Sequence, residues 1–535
     1  MDIISLLQDR AKQLPHVVQF TFLINDEQQK IATNLDLYQK VHSAASALSK
    51  QANNEPVILM YGPGLDFVIG LLACLASGNI AVPIAIPKPQ QLDQTRKILS
   101  NSKAQVILSE KSLIERFESE FPGLRWTELE THHPHAKYFP TKKKEDVAII
   151  QYTSGSTGVP KGVSVTYQNL SHNILAIIDH FGLTAKSISM SWLPHYHDMG
   201  LIDGILQPLI TGCHGILTSP RQVIGKPEFW LDCISKYKVT HTGGPNFFFN
   251  HCVDKIKENS DWDLSSLRAV YVSAEPVRLE TLEKFAEKFQ PSGFIKSMFT
   301  PGYGLAECTL MVSCKRAGTP LKFADFKLPT GTVRSVALGH PIPEIELKII
   351  EPETQQEVAS EAPGEVWVKG PSCTKGYWNN PKETKNSYIQ LGKTQGWVKT
   401  GDIGIVKDAQ LYLVGRLKDL IIINGVNHYA EDLEYTISSR IADLARESCL
   451  AFSIEQAEKE ELVILIKVLS KTAVSDLRKL KNDANSILFH EFGLAGVNIY
   501  FHTGPAYAKT TSGKIKRDFN KTLFLRGTFE LLSEE

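Results

Sequence analysis

Short apolar runs of strand length recur through the first part of the chain, at 57–60, 106–109, 147–152, 187–192 and 269–273, and segments with helical spacing such as 65–75 and 279–289 stand between them. That alternation is the mark of layered α/β domains, in which buried strands form a sheet and amphipathic helices cover its faces. A chain of 535 residues is too long for one such core, and at about 150 residues per domain it holds several structural units. Past about residue 330 the pattern turns β-rich, with strand-like segments at 344–351, 364–369, 396–400 and 410–415 separated by turn residues. After Gly415-Arg416-Leu417-Lys418-Asp419 comes a domain-sized tail with strand-like 420–423 and 462–468 and helix-like 474–488. The expectation is an α/β fold with a large N-terminal domain, 1–415, built of two layered αβ subdomains and a β-subdomain at about 330–415. A small, mobile α+β C-terminal domain, 416–535, follows.

Composition removes several classes of function. Lys+Arg and Asp+Glu number 58 each, so the chain carries no global field and gives no support to a nucleic-acid partner. The basic triplet Lys142-Lys143-Lys144 runs straight into Glu145-Asp146, as in a solvated surface loop. Eight cysteines without a C-x-x-C pair read as reduced thiols of a cytoplasmic protein, with neither disulfides nor a zinc site. The N-terminus is acidic and polar where a signal peptide needs a basic and then an apolar run. The longest apolar stretch, 68–87, is interrupted by Ser77-Gly78-Asn79 and Pro83. It reads as buried helix, turn and buried strand, since a membrane span needs about 20 uninterrupted apolar residues; no transmembrane segment is expected.

The most informative string is Tyr152-Thr153-Ser154-Gly155-Ser156-Thr157-Gly158-Val159-Pro160-Lys161-Gly162, between a strand-like run and a helix-like segment at 169–180. Glycines let backbone close round phosphate oxygens, hydroxyls and N–H groups donate to them, and a lysine adds charge. Counting excludes three neighbouring motifs. Pro160 and Val163 stand where a Walker loop needs its second glycine. The window centred on Ser156 begins with Ser154, so it is no G-x-S-x-G elbow. Gly302-Tyr303-Gly304 lacks the third glycine of a dinucleotide fingerprint.

Six more segments follow in order: Trp192-Leu193-Pro194 to His197-Asp198-Met199-Gly200, Ser273-Ala274-Glu275-Pro276, Tyr303-Gly304-Leu305-Ala306-Glu307, Thr400-Gly401-Asp402, Gly415-Arg416-Leu417-Lys418-Asp419 and Thr511-Ser512-Gly513-Lys514-Ile515-Lys516-Arg517. With the phosphate string, this set resembles the adenylate-forming superfamily of acyl-CoA synthetases, luciferases and peptide-synthetase adenylation domains nearly end to end. Gln151-Tyr152-Thr153-Ser154, Tyr196-His197-Asp198-Met199-Gly200-Leu201, Gly244-Pro245-Asn246-Phe247 and Asn427-His428-Tyr429 look most like its fatty acyl-AMP ligases.

The resemblance implies ATP and Mg²⁺ as cofactors and a fatty acid activated as its acyl-AMP, with the acyl group passed to the phosphopantetheine arm of an acyl carrier protein. Thr153 to Lys161, including Ser154, Gly155, Ser156, Thr157 and Gly158, would hold the β,γ-phosphates, and Glu307 would hold magnesium, which suits a site of one carboxylate with phosphate and water oxygens. Tyr303 and Gly304 would lie on one side of adenine and Ser273, Ala274 and Glu275 on the other. Asp402 would accept from both ribose hydroxyls, Arg416 would close over the sugar, and Lys514 would reach between carboxylate and α-phosphate. Lys418 falls at the family's hinge. His197 is read either as a group near the carboxylate or as a satisfied core histidine. Met199, Ile202, Phe247 and Phe248, with Phe249 and Met311, are acyl-pocket candidates, with core packing as the equal alternative.

No Asp-Ser-Leu-like attachment site follows residue 517, so the carrier is expected to be a separate chain. Fatty acyl-AMP ligases carry an insertion after the Tyr-Gly-Leu-Ala-Glu motif that hinders CoA-linked closure, and the stretch from Glu307 to Gly339 is short for one. A fatty acyl-CoA ligase is therefore the alternative. A third class, a nucleotide-binding regulator with a dead site, is disfavoured because Glu307, Asp402, Arg416 and Lys514 are all present.

Overall fold

The computed structural model describes residues 3–532 apart from 130–141, 154–159, 258–260, 329–330, 392–393, 424–425, 446, 457–458, 470–471, 473 and 510–514. Two α/β layers make up its larger part. A six-stranded sheet runs in the order Arg125–Thr127, Val106–Ser109, Pro56–Met60, Ile80–Pro83, Val147–Thr153, Lys161–Thr166. It is parallel except for its last pair. A nine-stranded sheet has the parallel segments His214–Thr218, Ile188–Ser191, His241–Gly244, Ala269–Val272 and Phe299–Gly304 at its centre. One hydrophobic core joins the two, holding Val57 and Leu59 from the first sheet and Met190, Ile216 and Val270 from the second.

The helix Leu65–Ser77 explains that continuity. Every residue in it except Asp66 is buried, and a helix apolar all round belongs in an interior rather than on a surface. It is followed by the strand Ile80–Pro83, so the longest apolar stretch of the sequence is core. By contrast Leu279–Phe289 buries the one face carrying Leu282, Phe285, Ala286 and Phe289.

The β-rich part is an antiparallel five-stranded sheet of Glu346–Ile350, Gly364–Lys369, Thr394–Lys407, Tyr388–Leu391 and Gln410–Arg416. It begins earlier than about 330: a hairpin of Phe323–Leu328 and Gly331–Val336 packs Phe326 against Ile403, Ile405, Tyr412 and Val414. The strand expected at 187–192 stops at Ser191, because Trp192 leaves the ladder and its indole N–H donates to the Gly243 carbonyl at 2.9 Å.

Beyond the short turn Leu417–Asp419 the chain builds a second core. The strands Cys449–Gln456, Lys459–Lys467 and Asn498–His502 pack on the helices Ala430–Arg440 and Val474–Phe492 through Leu433, Ile437, Ile464, Leu480 and Leu488. The two parts meet at Arg278, whose guanidinium lies 2.8 Å from Asp432 and 4.6 Å from the centre of the Tyr435 ring. Tyr435 in turn donates to Glu280 at 2.8 Å. All eight cysteines are free and buried. Among the described residues no helix is long and apolar enough to cross a membrane.

Candidate active site

A cavity of about 1640 Å³ opens between the two parts, and most of the residues singled out in the sequence line it. Thr153 and Lys161 stand opposite each other on the antiparallel pair that ends the six-stranded sheet. Ser154, Gly155, Ser156, Thr157 and Gly158 lie outside the described residues. Lys161 pairs with Glu383 and lies 5.3 Å from the centre of the Tyr377 ring. The Tyr377 hydroxyl donates to Glu307 Oε1 at 2.7 Å, so one tyrosine touches both the lysine and the carboxylate expected to meet phosphate and metal.

Asp402 is 5% exposed. Its Oδ2 accepts from the Tyr303 hydroxyl at 2.7 Å and its Oδ1 lies 2.8 Å from Arg416 Nε. Strand register creates this group, since Asp402 and Arg416 are direct partners across the antiparallel pair. Gly401, just before Asp402 within the same strand, has φ 71°, a left-handed backbone that a side chain would strain. Its N–H donates to Glu365 at 3.0 Å. Burial first, then the Asp402 charge, push the Tyr303 hydroxyl well above its ordinary pKa, so it is a hydrogen-bond donor at any working pH.

Ser273, Ala274 and Glu275 form the turn after Ala269–Val272 and line the same cavity. Ala274 sits at φ 72°, rare for a residue with a side chain and a pattern that gathers at functional sites. The Glu275 carboxylate accepts from the Phe247 N–H, and the Arg278 N–H donates to Asn246 Oδ1 at 3.0 Å. The loop at 244–247 is thereby tied to this turn.

His197 lines the cavity with its side chain 27% exposed and its Nδ1 2.7 Å from Asp198. The histidine sealed in the core is His195, which packs on Phe67 with its pKa lowered to about 4 by burial. Gly200 makes the turn possible: a Cβ there would lie 2.1 Å from the Pro194 carbonyl oxygen. Behind Tyr303 and Gly304 a second, almost wholly apolar cavity of about 50 Å³ is lined by Met199, Leu310 and Met311.

Three of the acyl-pocket candidates, Ile202, Phe248 and Phe249, are core residues, the alternative given for each of them. Ile202 and Phe248 line neither cavity; both are buried, Phe248 within 4.5 Å of Trp192 and 5.1 Å of Trp230, ring to ring, as is Phe249 against Phe285. Successive helical residues point about 100° apart, so on Asn246–Lys255 only Phe247 of the three phenylalanines reaches the large cavity. Lys418 lies in the turn Leu417–Asp419 at the cavity edge. Lys514 lies outside the described residues, while Ile515, Lys516 and Arg517 line the cavity. Among the described residues no three His, Cys, Asp or Glu side chains converge as a metal cluster.

Tyr377 and Glu383 are site residues that sequence reasoning missed. The run Gly376-Tyr377-Trp378-Asn379-Asn380-Pro381, with paired aromatics before a proline-initiated helix, was the available signal.

Residues 7–378 match the model of the AMP-binding enzyme family. The chain belongs to that family. Over 99% of its length this AMP-binding enzyme is 34% identical to the medium-chain-fatty-acid–[acyl-carrier-protein] ligase JamA of Moorena producens, covering 96% of that protein. It is also 34% identical, with a TM-score of 0.75, to a fatty acyl-adenylate ligase from Legionella pneumophila solved with acyl adenylate and pyrophosphate, covering 98% of this chain and 96% of that one. A fatty acyl-adenylate ligase structure from a study of the Escherichia coli and L. pneumophila enzymes superimposes with a TM-score of 0.88 at 27% identity, with 98% of each chain covered. This family member is an acyl-adenylate-forming ligase.

Proposed function

We propose that the enzyme activates a fatty acid as fatty acyl-AMP and delivers the acyl group, in the cytoplasm, to the phosphopantetheine arm of a separate acyl carrier protein. The observation that carries this reading is the joining of two subsites at one cavity, with a small apolar cavity adjoining it. Tyr303, Asp402 and Arg416 form a nucleoside site, Lys161 and Glu307 meet at Tyr377, and an apolar cavity opens behind Met199 and Met311. The names of the acyl-carrier-protein ligase and the acyl-adenylate complex among its relatives support the same substrate class.

In the reaction a carboxylate oxygen attacks the α-phosphorus of ATP and the bond to the β-phosphate breaks, releasing pyrophosphate. Positioning and charge neutralisation supply most of such catalysis. Tyr303 presents a flat face to adenine while its hydroxyl steadies Asp402 for the ribose. Lys161 and the glycine-rich loop hold the departing phosphates, and Lys514 bridges the carboxylate and the α-phosphate. Magnesium fits beside Glu307, the cavity-lining carboxylate that shares Tyr377 with Lys161, and when bound it would neutralise phosphate charge. His197 borders the carboxylate end. The division at 415/416 makes Lys418 the pivot on which the C-terminal part turns between adenylation and transfer.

The test is pyrophosphate release over acids of increasing chain length, followed by chromatography with CoA or a pantetheinylated carrier as acceptor. Acyl-AMP that accumulates with CoA and is consumed by the carrier supports the reading. Rapid stoichiometric acyl-CoA formation supports the alternative acyl-CoA ligase, which is favoured by one observation: the short segment from Glu307 to Gly339 holds the strand Met311–Cys314 and one hairpin, tied by Ser335 to the Leu413 carbonyl at 2.8 Å. Absence of acid-dependent pyrophosphate release sinks both.

A further inference from the structure

Lys161 already has an anionic partner supplied by the protein. Glu383 projects from the helix Pro381–Ser387, and its carboxylate meets the Lys161 ammonium with side chains only 28% and 15% exposed. The backbone, rather than this ion pair, fixes where Glu383 stands. Asn380 caps the helix by accepting from the Glu383 N–H at 3.2 Å. The preceding loop is clamped to the strand carrying the lysine, with Trp378 N–H donating to the Gly162 carbonyl at 2.6 Å and Ser164 N–H to the Gly376 carbonyl at 3.2 Å. Tyr377, between them, spends its hydroxyl on Glu307 and offers Lys161 its ring face. The proximity of Lys161 holds the Glu383 carboxyl below the usual carboxylate range.

We propose that Glu383 is an internal surrogate for the polyphosphate: it competes with the β,γ-phosphates for Lys161, yields when ATP binds, and retakes the lysine as pyrophosphate leaves. A triphosphate brings several negative charges, so it wins the lysine from one carboxylate. Once the bond to the α-phosphorus has broken, pyrophosphate is no longer tethered to the nucleotide, whereas Glu383 stays beside Lys161 at a high effective concentration. Glu383 is thus a positioning residue that speeds product release and opposes the reverse reaction. The inference rests on the reading of Lys161 as a phosphate-binding residue.

Titration calorimetry on the full-length protein, in magnesium buffer of fixed ionic strength, tests it without any acyl substrate. ATP, pyrophosphate and AMP are titrated separately into wild type, Glu383→Gln and Lys161→Ala. Glu383→Gln should tighten ATP and pyrophosphate about three- to tenfold, as expected for removing a competing charge-assisted hydrogen bond, and leave AMP unchanged. Glu383→Asp, which withdraws the same charge by one methylene, should fall between the two and gives a second measurement if the amide variant folds poorly. Unchanged or weaker pyrophosphate binding in both variants overturns the proposal. If Lys161→Ala also fails to weaken ATP, the phosphate-site reading falls with it; if Lys161→Ala weakens ATP as expected, the surrogate role alone is rejected.

Discussion

Asp402 accepts from Tyr303 and pairs with Arg416 inside a nearly closed wall, so the two partners contribute differently to any ligand bound there. Tyr303→Phe keeps the ring face and loses one hydrogen bond, worth about 1 kcal/mol; the KM for ATP should rise roughly fivefold with kcat little changed. Asp402→Ala removes the carboxylate expected to accept from both ribose hydroxyls, and kcat/KM in a pyrophosphate-release assay should fall by about 100-fold or more, since hydrogen bonds to a charged group are worth about 1.5–3 kcal/mol each. Equal effects of the two variants would mean that the tyrosine hydroxyl, not the carboxylate, is the main contact. Lys514→Ala should leave ATP binding nearly intact and slow acyl-AMP formation by about 10²–10³, the range for a single transition-state stabiliser. Near-normal adenylation in single-turnover measurements would remove Lys514 from its role.

The segment from Trp192 to Leu206 illustrates what an element adds to its residues. Close approach at Gly200 folds the turn, the π-helix Met199–Leu206 follows, and the two histidines separate, His195 inward and His197 to the cavity. His195 is held neutral, with its pKa lowered from the ordinary 6.5 to about 4. The unfolded chain therefore binds this proton first, and stability that is fully present above about pH 6.5 is lost as pH falls toward 4. At pH 5 the loss from this one group is about 2 kcal/mol. Urea midpoints should drop between pH 7.5 and pH 5, and His195→Gln should flatten that dependence.

Elements with a clear period were legible from sequence: 106–109, 279–289 and 364–369 were bounded as they occur, because alternating or helical apolar patterns leave one arrangement that buries them. The Asp402–Arg416 partnership was legible only as two separate motifs, since register is set by the whole sheet. Three consecutive phenylalanines at 247–249 carry no polar mark of which one faces the cavity. The Lys161–Glu383 pair joins positions 222 apart, a proximity that no local pattern records.

At the scale of the molecule, two cores are joined by a three-residue turn and by the contact of Arg278 with Asp432 and Tyr435. Arg278→Ala removes both the ion pair and the ring contact. It should raise the rate of limited proteolysis near Leu417–Asp419 severalfold while the melting temperature of the larger part stays within a few degrees; an unchanged cleavage rate would show that Arg278 does not restrain the C-terminal part.

The buried thiols give the two cores separate clocks. Cys449 belongs to the C-terminal core, whereas Cys74 and Cys252 belong to the large one. An alkylating reagent reaches such a sulfur only when the unit around it opens, so labelling rates report local unfolding free energies without any engineered probe. Under native conditions, peptide mass spectrometry should find Cys449 modified well before Cys74 or Cys252. Substrates that immobilise the C-terminal part should slow the first clock and leave the other two running as before.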